Sequence, residues 1–339
     1  MKGYGWFLLT MAALLLLFPL PALSATPQKD VANTPTTPAT STTTPSTPLH
    51  PDDVPAEDAV FRVLCGEEVV TLTEKDFLLR TLAMEMGPSY HEEALKAQAV
   101  AAYTYYARRR EAQAKQADPA LKGADFATPN ASFPQEYTEE KLRAKWGEHY
   151  DTYAQKLTSA VTAVQGVTIT HEDALIDACY HAISSGNTES AETVWGANIP
   201  YLQAVASPGD RLSEGFASQV TLPTDAVREI LVGELPDLSL GEDPAAWFGT
   251  PMLSETGTVA QQPVGDAQLP GTRVRQLFGL RSAAFAVAYA EGQFTFAVQG
   301  YGHGVGMSQY GADYLARQGY TYEEILRYYY TDVTVNPPK

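Results

Sequence analysis

The chain has 339 residues and a mass of 36.7 kDa, enough for one large domain or two ordinary ones. It carries 23 basic and 40 acidic residues, and its formal net charge of -17 argues against a nucleic-acid-binding protein, which needs a basic surface. Two cysteines are too few for a disulfide-rich scaffold or a zinc finger.

The first 25 residues predict either a secretory signal or a transmembrane anchor. Lys2 precedes an apolar run over residues 6–20 and small residues over 22–25, which is the pattern of a cleaved signal. The same segment carries no charge over residues 3–25, so an uncleaved anchor fits equally well. Both readings place the rest of the chain outside the cytoplasm, secreted in the first case and tethered to the membrane in the second.

Thr, Pro and Ser dominate residues 26–58, where large apolar side chains are nearly absent. Such a segment buries too little surface to offset the entropy that ordering costs, so we predict a disordered linker. The folded domain is then expected over residues 59–339.

The folded part begins with two predicted strands, at residues 61–64 and 69–72. Thr73 and Asp76 resemble a capping box that starts a first helix, which ends near Met86.

A second capping signal, Ser89 with Glu92, starts a long alanine-rich helix over residues 93–115. Residues 117–137 contain Pro, Gly and Asn and predict a surface loop.

The remaining predicted elements group by type rather than alternate. In chain order they are helices at 138–146 and 149–164, strands at 167–170 and 174–181, long loops over 183–215, a helix at 223–233, an acidic insertion over 234–253, a short helix at 271–277, a hairpin of 285–290 and 293–298, and helices at 308–318 and 322–330. This grouping favours an α+β fold, a single domain of helices packed on mixed or antiparallel strands.

Glu85 is the acidic residue with the most informative position. Leu78, Leu82 and Glu85 fall on one face of the first predicted helix, so a carboxylate interrupts an apolar stripe. It also lies in the last turn, where the helix dipole disfavours negative charge. Both effects should raise its pKa, as a general acid requires near neutral pH. The alternative is an acid at the edge of the stripe that reaches solvent.

Residues 180–196 form a polar cluster with one large aromatic side chain, Trp195. Hydroxyl and amide groups beside a flat apolar ring suit a sugar, which has polar edges and apolar faces. A solvated turn with a hydrogen-bonded histidine fits the composition equally well.

Residues 300–311 carry glycine at every second position over 300–306 and then enter a helix. Glycine allows a backbone to approach a ligand closely or to take a positive φ, and free N–H groups at 308–310 are expected to meet an oxygen or an anion. The order of glycines does not fit a dinucleotide site, and no Gly-Lys-Ser/Thr is present for a P-loop.

A zinc site is a further hypothesis. His171, Cys179 and His181 lie close in sequence, and Cys179 and His181 would point to the same side of a strand over 174–181. Cys65 is available as a fourth ligand, or as a disulfide partner of Cys179 outside the cell. Two unrelated histidines and a buried thiol are the alternative.

Taken together, the three clusters resemble the signatures of the stage II sporulation protein D family. The first signature is similar to residues 83–86 with 93–102, and the others to residues 181–196 and 302–311. Residues 280–285 fit the region that connects them, and the resemblance covers roughly residues 60–335.

The resemblance implies a lytic transglycosylase, a lyase of the cell wall. Such an enzyme cleaves the bond between N-acetylmuramic acid and N-acetylglucosamine in peptidoglycan and leaves a 1,6-anhydro product. The family acts during engulfment of the forespore in sporulation and favours glycan strands denuded of stem peptides. The expected partners are these glycan strands, a peptidoglycan amidase (stage II sporulation protein P), the engulfment machinery, and the membrane through the N-terminus.

The family's catalytic glutamate falls on Glu85. The resemblance requires no cofactor, although some members carry zinc near the active site. The family shares its domain with amidase-enhancer proteins, so the alternative is a non-catalytic cell-wall-binding amidase enhancer.

The resemblance also implies which residues line the sugar subsites. These are His181, Ser184, Ser185, Thr188, Glu189, Trp195, Tyr201, His303, Gly304, Met307, Ser308, Gln309 and Tyr310. Basic groups available to muramoyl carboxylates are Lys96, Arg273, Arg275 and Arg281.

Overall fold

The computed structural model of the protein describes residues 59–128 and 133–338. The predicted signal or anchor over residues 1–25 lies outside this part of the chain, as does the predicted linker over residues 26–58. Among the described residues, no helix is both long and apolar enough to cross a membrane.

Helices and short strands make up the described chain. The α-helices are α1 (Glu74–Glu85), α2 (Glu92–Lys115), α3 (Glu139–Trp146), α4 (Tyr150–Ala163), α5 (Ala191–Trp195), α6 (Thr224–Glu234), α7 (Gly271–Leu277), α8 (Gln309–Arg317) and α9 (Tyr322–Tyr329). The strands are β1 (Val60–Cys65), β2 (Glu68–Thr73), β3 (Phe126–Ala127), β4 (Thr168–His171), β5 (Ala174–Leu175), β6 (Tyr180–His181), β7 (Ala217–Pro223), β8 (Met252–Leu253), β9 (Val259–Val264), β10 (Ala267–Pro270), β11 (Ala284–Ala290), β12 (Gln293–Gln299), β13 (Met307–Ser308) and β14 (Thr334–Asn336).

The described strands form several small sheets, in the orders β2-β1-β3, β10-β9-β8, β11-β12-β7, β13-β6 and β14-β4-β5. Neighbouring strands pair antiparallel, except that β1 with β3 and β6 with β13 run parallel. The protein therefore has a mixed α/β fold, which agrees with the predicted grouping of helices and strands at this coarser level.

Helix α2 lies at the centre of the first hydrophobic core. Alanines on several of its faces are fully buried, among them Ala94, Ala97, Ala99 and Ala102. Because alanine has a short side chain, neighbouring helices can approach closely, and α1, α4, α8 and α9 all pack against α2. The helix that carries Glu85 is thus held against the most buried element of the fold.

A second hydrophobic core is built from residues 220–298, around the sheets of β7, β9, β11 and β12 and helices α6 and α7. Trp247 is buried there and stacks on Phe294 with ring centroids 5.5 Å apart. Trp247 belongs to the predicted acidic insertion over 234–253, so this segment contributes to the core and is not a surface appendage.

The structure confirms the predicted strands β1 and β2, which pair antiparallel, the predicted hairpin β11–β12 and the predicted helices, and it corrects one helix cap. Thr73 caps α1, since its hydroxyl accepts the backbone N–H of Asp76 at 3.1 Å. The cap of α2 is His91 and not Ser89, because Ser89 lies in the turn that leaves α1. The His91 Nδ1 accepts the backbone N–H of Glu93 at 3.3 Å.

The prediction of a surface loop over residues 117–137 is wrong in part. Strand β3 pairs with β1, and Phe126 and Phe133 are buried with their rings each 5.5 Å from that of Phe77. Isolated aromatic residues in a segment rich in glycine and proline gave no periodic signal for this burial.

The predicted strand over residues 174–181 is also wrong, because it is interrupted. Only its two ends form strands, since β5 pairs with β4 and β6 pairs with β13. Between them the N–H of Cys179 donates to the carbonyl of Asp177 at 2.7 Å in a tight turn. The sequence does not predict β9, since Pro263 within a short polar run argues against a strand.

Candidate active site

A cleft of about 450 Å³ lies where the end of α1 meets α2, the turn before β6, α5 and the glycine-rich loop before β13. Its walls carry one glutamate, one aspartate, one arginine and several aromatic rings. The lining residues are Glu85, Tyr105, Tyr106, Arg109, Ala127, Asp177, Cys179, Tyr180, Trp195 and His303. The volume suits a piece of a polymer larger than a single small group.

Glu85 is the last residue of α1 and faces this cleft. The helix ends there because the N–H groups of Met86 and Gly87 both bond to the carbonyl of Leu82, with Gly87 at a φ of 76°. Burial raises the pKa of the Glu85 carboxyl above its ordinary value, and a hydrogen bond from Gln309 opposes this rise. The dipole of α1 acts in the same direction as burial.

Gln309 holds the carboxyl of Glu85 in place. This buried residue begins α8, and its Nε2 donates to Glu85 Oε2 at 3.1 Å. The same Nε2 lies 3.5 Å from Oε1 of Gln98 on α2. An amide N–H donates to a carboxylate and to the carbonyl oxygen of a carboxylic acid alike, so this contact survives a change in the protonation of Glu85.

The second carboxylate of the cleft has a different environment. Asp177 Oδ1 accepts a hydrogen bond from Arg109 Nη1 at 3.2 Å, and Arg108 Nη1 lies 3.9 Å from its other oxygen. Within residues 59–128 and 133–338, Glu85 forms no ion pair. The cleft therefore holds one charge-compensated carboxylate and one that burial favours in its neutral form.

Aromatic rings form the rest of the cleft. Trp195 is 46% exposed, and its ring centroid lies 5.4 Å from that of His303. Arg109 covers Tyr105, with its guanidinium carbon 3.2 Å from the ring centroid. An exposed indole at the edge of a cleft offers the flat apolar surface on which a sugar ring packs.

Two neutral histidines belong to this region: His303 lines the cleft, and His181 is buried next to it. Burial lowers the pKa of His181 to about 3 and that of His303 to about 4, so both imidazoles are uncharged near neutral pH. His181 Nδ1 lies 3.2 Å from the carbonyl of Val305, and the two imidazole centroids are 5.7 Å apart. Neither ring is placed to act as a charged acid at this pH.

A second, smaller cavity of about 120 Å³ shares His303 with the cleft. It is lined by predicted subsite residues, Ser184, Ser185, Glu189 and Gly304, and by residues of β9 and α7 that include Arg275. The structure therefore brings part of the predicted sugar-binding set to a separate cavity next to Glu85.

Other predicted subsite residues support the walls of the site. Ser184 and Ser308 both donate to Asp210, Ser308 at 2.7 Å, and the backbone N–H of Ser184 donates to Asp210 at 3.0 Å. Asp210 is fully buried, and burial raises its pKa. This network ties the segment after β6 to Ser308, the N-cap of α8, and so positions Gln309.

Four more predicted residues lie outside both cavities. Thr188 is buried and accepts the N–H of Val205 at 2.9 Å, and Met307 is buried in β13. Tyr201 accepts the N–H of Asp177 at 3.0 Å. Tyr310 donates to the carbonyl of Leu212 at 3.4 Å. Their contacts in this structure hold together the loops that form the site.

The glycines at residues 300, 302, 304 and 306 all have positive φ, as the sequence allowed. Gly302 and Gly306 approach neighbouring parts of the protein and not a ligand, which corrects the expectation of close ligand approach at these two positions, while Gly304 lines the second cavity. A Cβ at Gly306 would stand 2.1 Å from the carbonyl oxygen of Cys179, and one at Gly302 would stand 2.7 Å from Cβ of His181. The expected free N–H at residue 310 is also wrong, since it donates to the carbonyl of Ala182 at 3.1 Å.

The structure does not bring His171, Cys179 and His181 together as a zinc site. In the described part of the chain, no three His, Cys, Asp or Glu side chains are grouped closely enough to hold a metal ion. His171 Nδ1 lies 2.9 Å from the carbonyl of Asp332, while His181 Nδ1 faces Val305. Cys65 and Cys179 are both free thiols and both buried, so they form no disulfide.

Sequence reasoning missed several residues of the cleft. Tyr105 and Arg109 lie at i and i+4 on α2, on one helix face with Gln98, which contacts Gln309, and this spacing was available as a signal. Asp177 and Tyr180 had no such signal, because the interrupted strand sets their positions.

This fold and cleft belong to the class of stage II sporulation proteins. A profile of the SpoIID family, described as Stage II sporulation protein, matches residues 66–171, which include Glu85 and all of α2. The chain belongs to the Stage II sporulation protein D family.

Individual relatives support this assignment. The chain is 32% identical to Stage II sporulation protein D of Bacillus amyloliquefaciens over 282 residues, 83% of this chain and 79% of that protein. It is 31% identical to Stage II sporulation protein D of Bacillus subtilis (strain 168) over 287 residues, again 83% and 79%. The Amidase enhancer of Bacillus subtilis is 25% identical over 299 residues, 74% of this chain and 39% of that protein.

Proposed function

We propose that the protein is a lytic transglycosylase that cleaves peptidoglycan between N-acetylmuramic acid and N-acetylglucosamine during sporulation. The observation that carries this proposal is Glu85, a partly buried carboxyl with a raised pKa that lines a cleft and is oriented by Gln309. These are the properties that a proton donor to a glycosidic oxygen requires near neutral pH.

In the first step, protonated Glu85 donates its proton to the glycosidic oxygen. The bond from this oxygen to C1 of the muramoyl residue breaks, N-acetylglucosamine leaves as an alcohol, and positive charge develops on the muramoyl ring as in an oxocarbenium ion. The hydrogen bond from Gln309 to Glu85 stabilises the carboxylate that this transfer leaves behind.

In the second step, the Glu85 carboxylate takes the proton of the muramoyl C6 hydroxyl. The C6 oxygen attacks C1 and closes the 1,6-anhydro ring, which regenerates protonated Glu85. Because the nucleophile belongs to the substrate, one enzyme carboxyl is enough. Asp177, neutralised by Arg109, is not needed as a second one.

The proposal also includes the substrate of this reaction and the place where the protein acts. The substrate is a glycan strand denuded of its stem peptides, supplied by a peptidoglycan amidase, and the protein works with the engulfment machinery of the forespore. It acts outside the cytoplasm, attached to the membrane through residues 1–25 or secreted if these are cleaved. Trp195 and Tyr105 would pack on the sugar faces.

Product analysis on denuded glycan strands tests the proposal. Glu85→Gln should lower the release of 1,6-anhydro sugars about 100- to 10,000-fold, the usual contribution of a general acid. Glu111→Gln is the matched control, because Glu111 is an exposed glutamate on α2 outside the cleft. Unchanged release by the Glu85→Gln protein would contradict the proposal.

A second candidate function follows from the relative named Amidase enhancer. A protein of this kind would bind glycan in the same cleft, cleave nothing, and raise the activity of an amidase. Amidase turnover on intact peptidoglycan, measured with and without this protein, separates the two functions. Stimulation that survives Glu85→Gln, without any anhydro product from the unaltered protein, would favour the enhancer.

A further inference from the structure

We propose that Arg275, in the second cavity, binds the free lactyl carboxylate of a muramic acid residue, so that this cavity distinguishes denuded glycan from glycan that carries stem peptides. The inference rests on the proposed function in one respect, namely that peptidoglycan glycan is the substrate. It adds a specificity-determining residue outside the catalytic cleft.

Arg275 differs from the other basic groups that sequence analysis offered to the muramoyl carboxylate. Lys96 already pairs with two glutamates at 2.9 and 2.8 Å, and Arg273 pairs with Glu234 at 2.9 Å. Arg281 is exposed and lies over the ring of Tyr301 at 5.1 Å. Each of these cations has a partner in the protein or faces open solvent.

Arg275 itself has an uncompensated charge. It is partly buried, and its Nε donates to the carbonyl of Leu280 at 3.3 Å. Across the described residues, no carboxylate oxygen lies within 4.0 Å of its guanidinium. A partly buried cation without a carboxylate partner is costly in a folded protein, so its presence in a cavity wall points to an anionic ligand.

Neutral hydrogen-bonding groups surround this cation. The Ser185 hydroxyl lines the cavity, is shielded from solvent and has no hydrogen-bond partner among residues 59–128 and 133–338, and Asn187 lines the same space. The imidazole of His303 is uncharged, because burial and the nearby Arg275 both lower its pKa to about 4. A carboxylate placed here would find one positive charge and polar neighbours.

Among the described residues, one acid lines the cavity wall, Glu189, and its carboxylate is hydrogen-bonded to a neighbouring turn. One of its carboxylate oxygens accepts hydrogen bonds from three hydroxyls of the turn over residues 254–258, at 3.0 Å from Ser254 and 2.6 Å from Thr258, with Thr256 as the third donor. These bonds hold the carboxylate toward that turn, so Arg275 stays available to a ligand.

The cavity is large enough for a substituent of a sugar but too small for a whole sugar ring. Its volume of about 120 Å³ is well below the roughly 300 Å³ at which ordinary ligand pockets begin. His303 lines both this cavity and the cleft of Glu85, so a glycan in the cleft has the cavity beside it. A short side group that ends in a carboxylate fits this arrangement.

The lactyl group of muramic acid is such a substituent. When the stem peptide is attached, its carboxyl carbon is a neutral amide that leads into a bulky peptide. When an amidase has removed the peptide, the group ends in a free carboxylate. Arg275 can form a salt bridge with bidentate hydrogen bonds only with the second form.

Binding measurements in the full chain carrying Glu85→Gln test this inference, because the glycan then stays intact. Three glycan preparations serve as probes: denuded strands, the same strands with methyl-esterified carboxylates, and strands that keep their stem peptides. Denuded strands should bind about 10- to 100-fold more tightly than esterified ones. Adding Arg275→Gln should abolish this difference. Arg273→Gln, which changes the other arginine of α7, should preserve it.

Several results would overturn the inference. Equal affinity of the Glu85→Gln protein for denuded and esterified strands would overturn it. This comparison needs no substitution at Arg275, so it does not depend on whether the Arg275→Gln protein folds. Tightest binding of peptide-bearing strands, lost on Arg275→Gln, would assign the arginine to a stem-peptide carboxylate instead. A lack of anhydro products from the unaltered protein would contradict only the proposed function, since binding is measured without cleavage.

Discussion

At the scale of single residues, the site contains two carboxyl groups in different environments. Glu85 is buried at a helix C-terminus with one amide donor, and Asp177 is paired with arginine. The interrupted apolar stripe of α1 predicted the raised pKa of the first, with an acid that reaches solvent as the alternative. The sequence could not predict the second, since Asp177 reaches the cleft through a turn that breaks an expected strand.

The raised pKa of Glu85 has a consequence for stability that does not depend on catalysis. The folded state binds this proton more tightly than the unfolded chain does, so the free energy of unfolding falls as the pH rises from the unfolded pKa through the folded one. Glu85→Gln removes this titration. We expect the substitution to raise the melting temperature at pH 8 and to leave it nearly unchanged at pH 3.

Melting curves across this pH range check the expectation, with Glu111→Gln as the exposed control that should follow the unaltered protein at every pH. A destabilising effect of Glu85→Gln that is largest at pH 8 would mean that the Glu85 carboxylate, and not the acid, is the form that the fold prefers.

At the scale of elements, the parallel pair β6–β13 joins the two signature loops. The N–H of Met307 donates to the carbonyl of Cys179 at 3.1 Å, and Gly306 passes so close to Cys179 that no side chain fits between them. The alternating glycines predicted close backbone approach, but a single sequence does not show which surface is approached. Here it is the neighbouring strand, which fixes the start of α8 and therefore Gln309.

Two alanine substitutions separate crowding from backbone strain. Gly306 and Gly279 both have positive φ, 74° and 60°, but a Cβ at Gly279 meets nothing within 4 Å. Gly279→Ala should cost about 1 kcal/mol, the strain of the left-handed region. Gly306→Ala should cost more than about 4 kcal/mol, because the Cβ overlaps the carbonyl of Cys179. Urea unfolding measures both, and equal losses would show that β6 and β13 are not tightly packed.

At the scale of the whole molecule, two hydrophobic cores each supply one wall of the candidate site. The first core carries the helix of Glu85, and the second carries Arg275 and the strands beside it. The sequence predicted most helices because they are long and periodic. It did not predict β7 or β9, or the burial of Trp247 in the acidic segment, because polar residues and a proline mask these contributions to the second core.

The net charge of -17 predicts an unusual salt dependence of glycan binding. Denuded glycan is itself anionic, so long-range repulsion slows the encounter, and salt screens charges that lie more than about 10 Å apart at 0.1 M. The association rate constant of denuded strands should therefore rise with salt between low and physiological ionic strength. Stopped-flow or surface-based kinetics would check this, and a steep fall would indicate that a basic surface steers the glycan.

The most direct test of the central claim is cleavage of denuded glycan strands in water enriched in oxygen-18, followed by mass spectrometry of the new ends. If the muramoyl C6 hydroxyl is the nucleophile and Glu85 the acid and base, the products end in 1,6-anhydro rings that contain no heavy oxygen, and Glu85→Gln gives none of them. New reducing ends that carry oxygen-18 would contradict the account, because water and not the substrate would then have attacked C1.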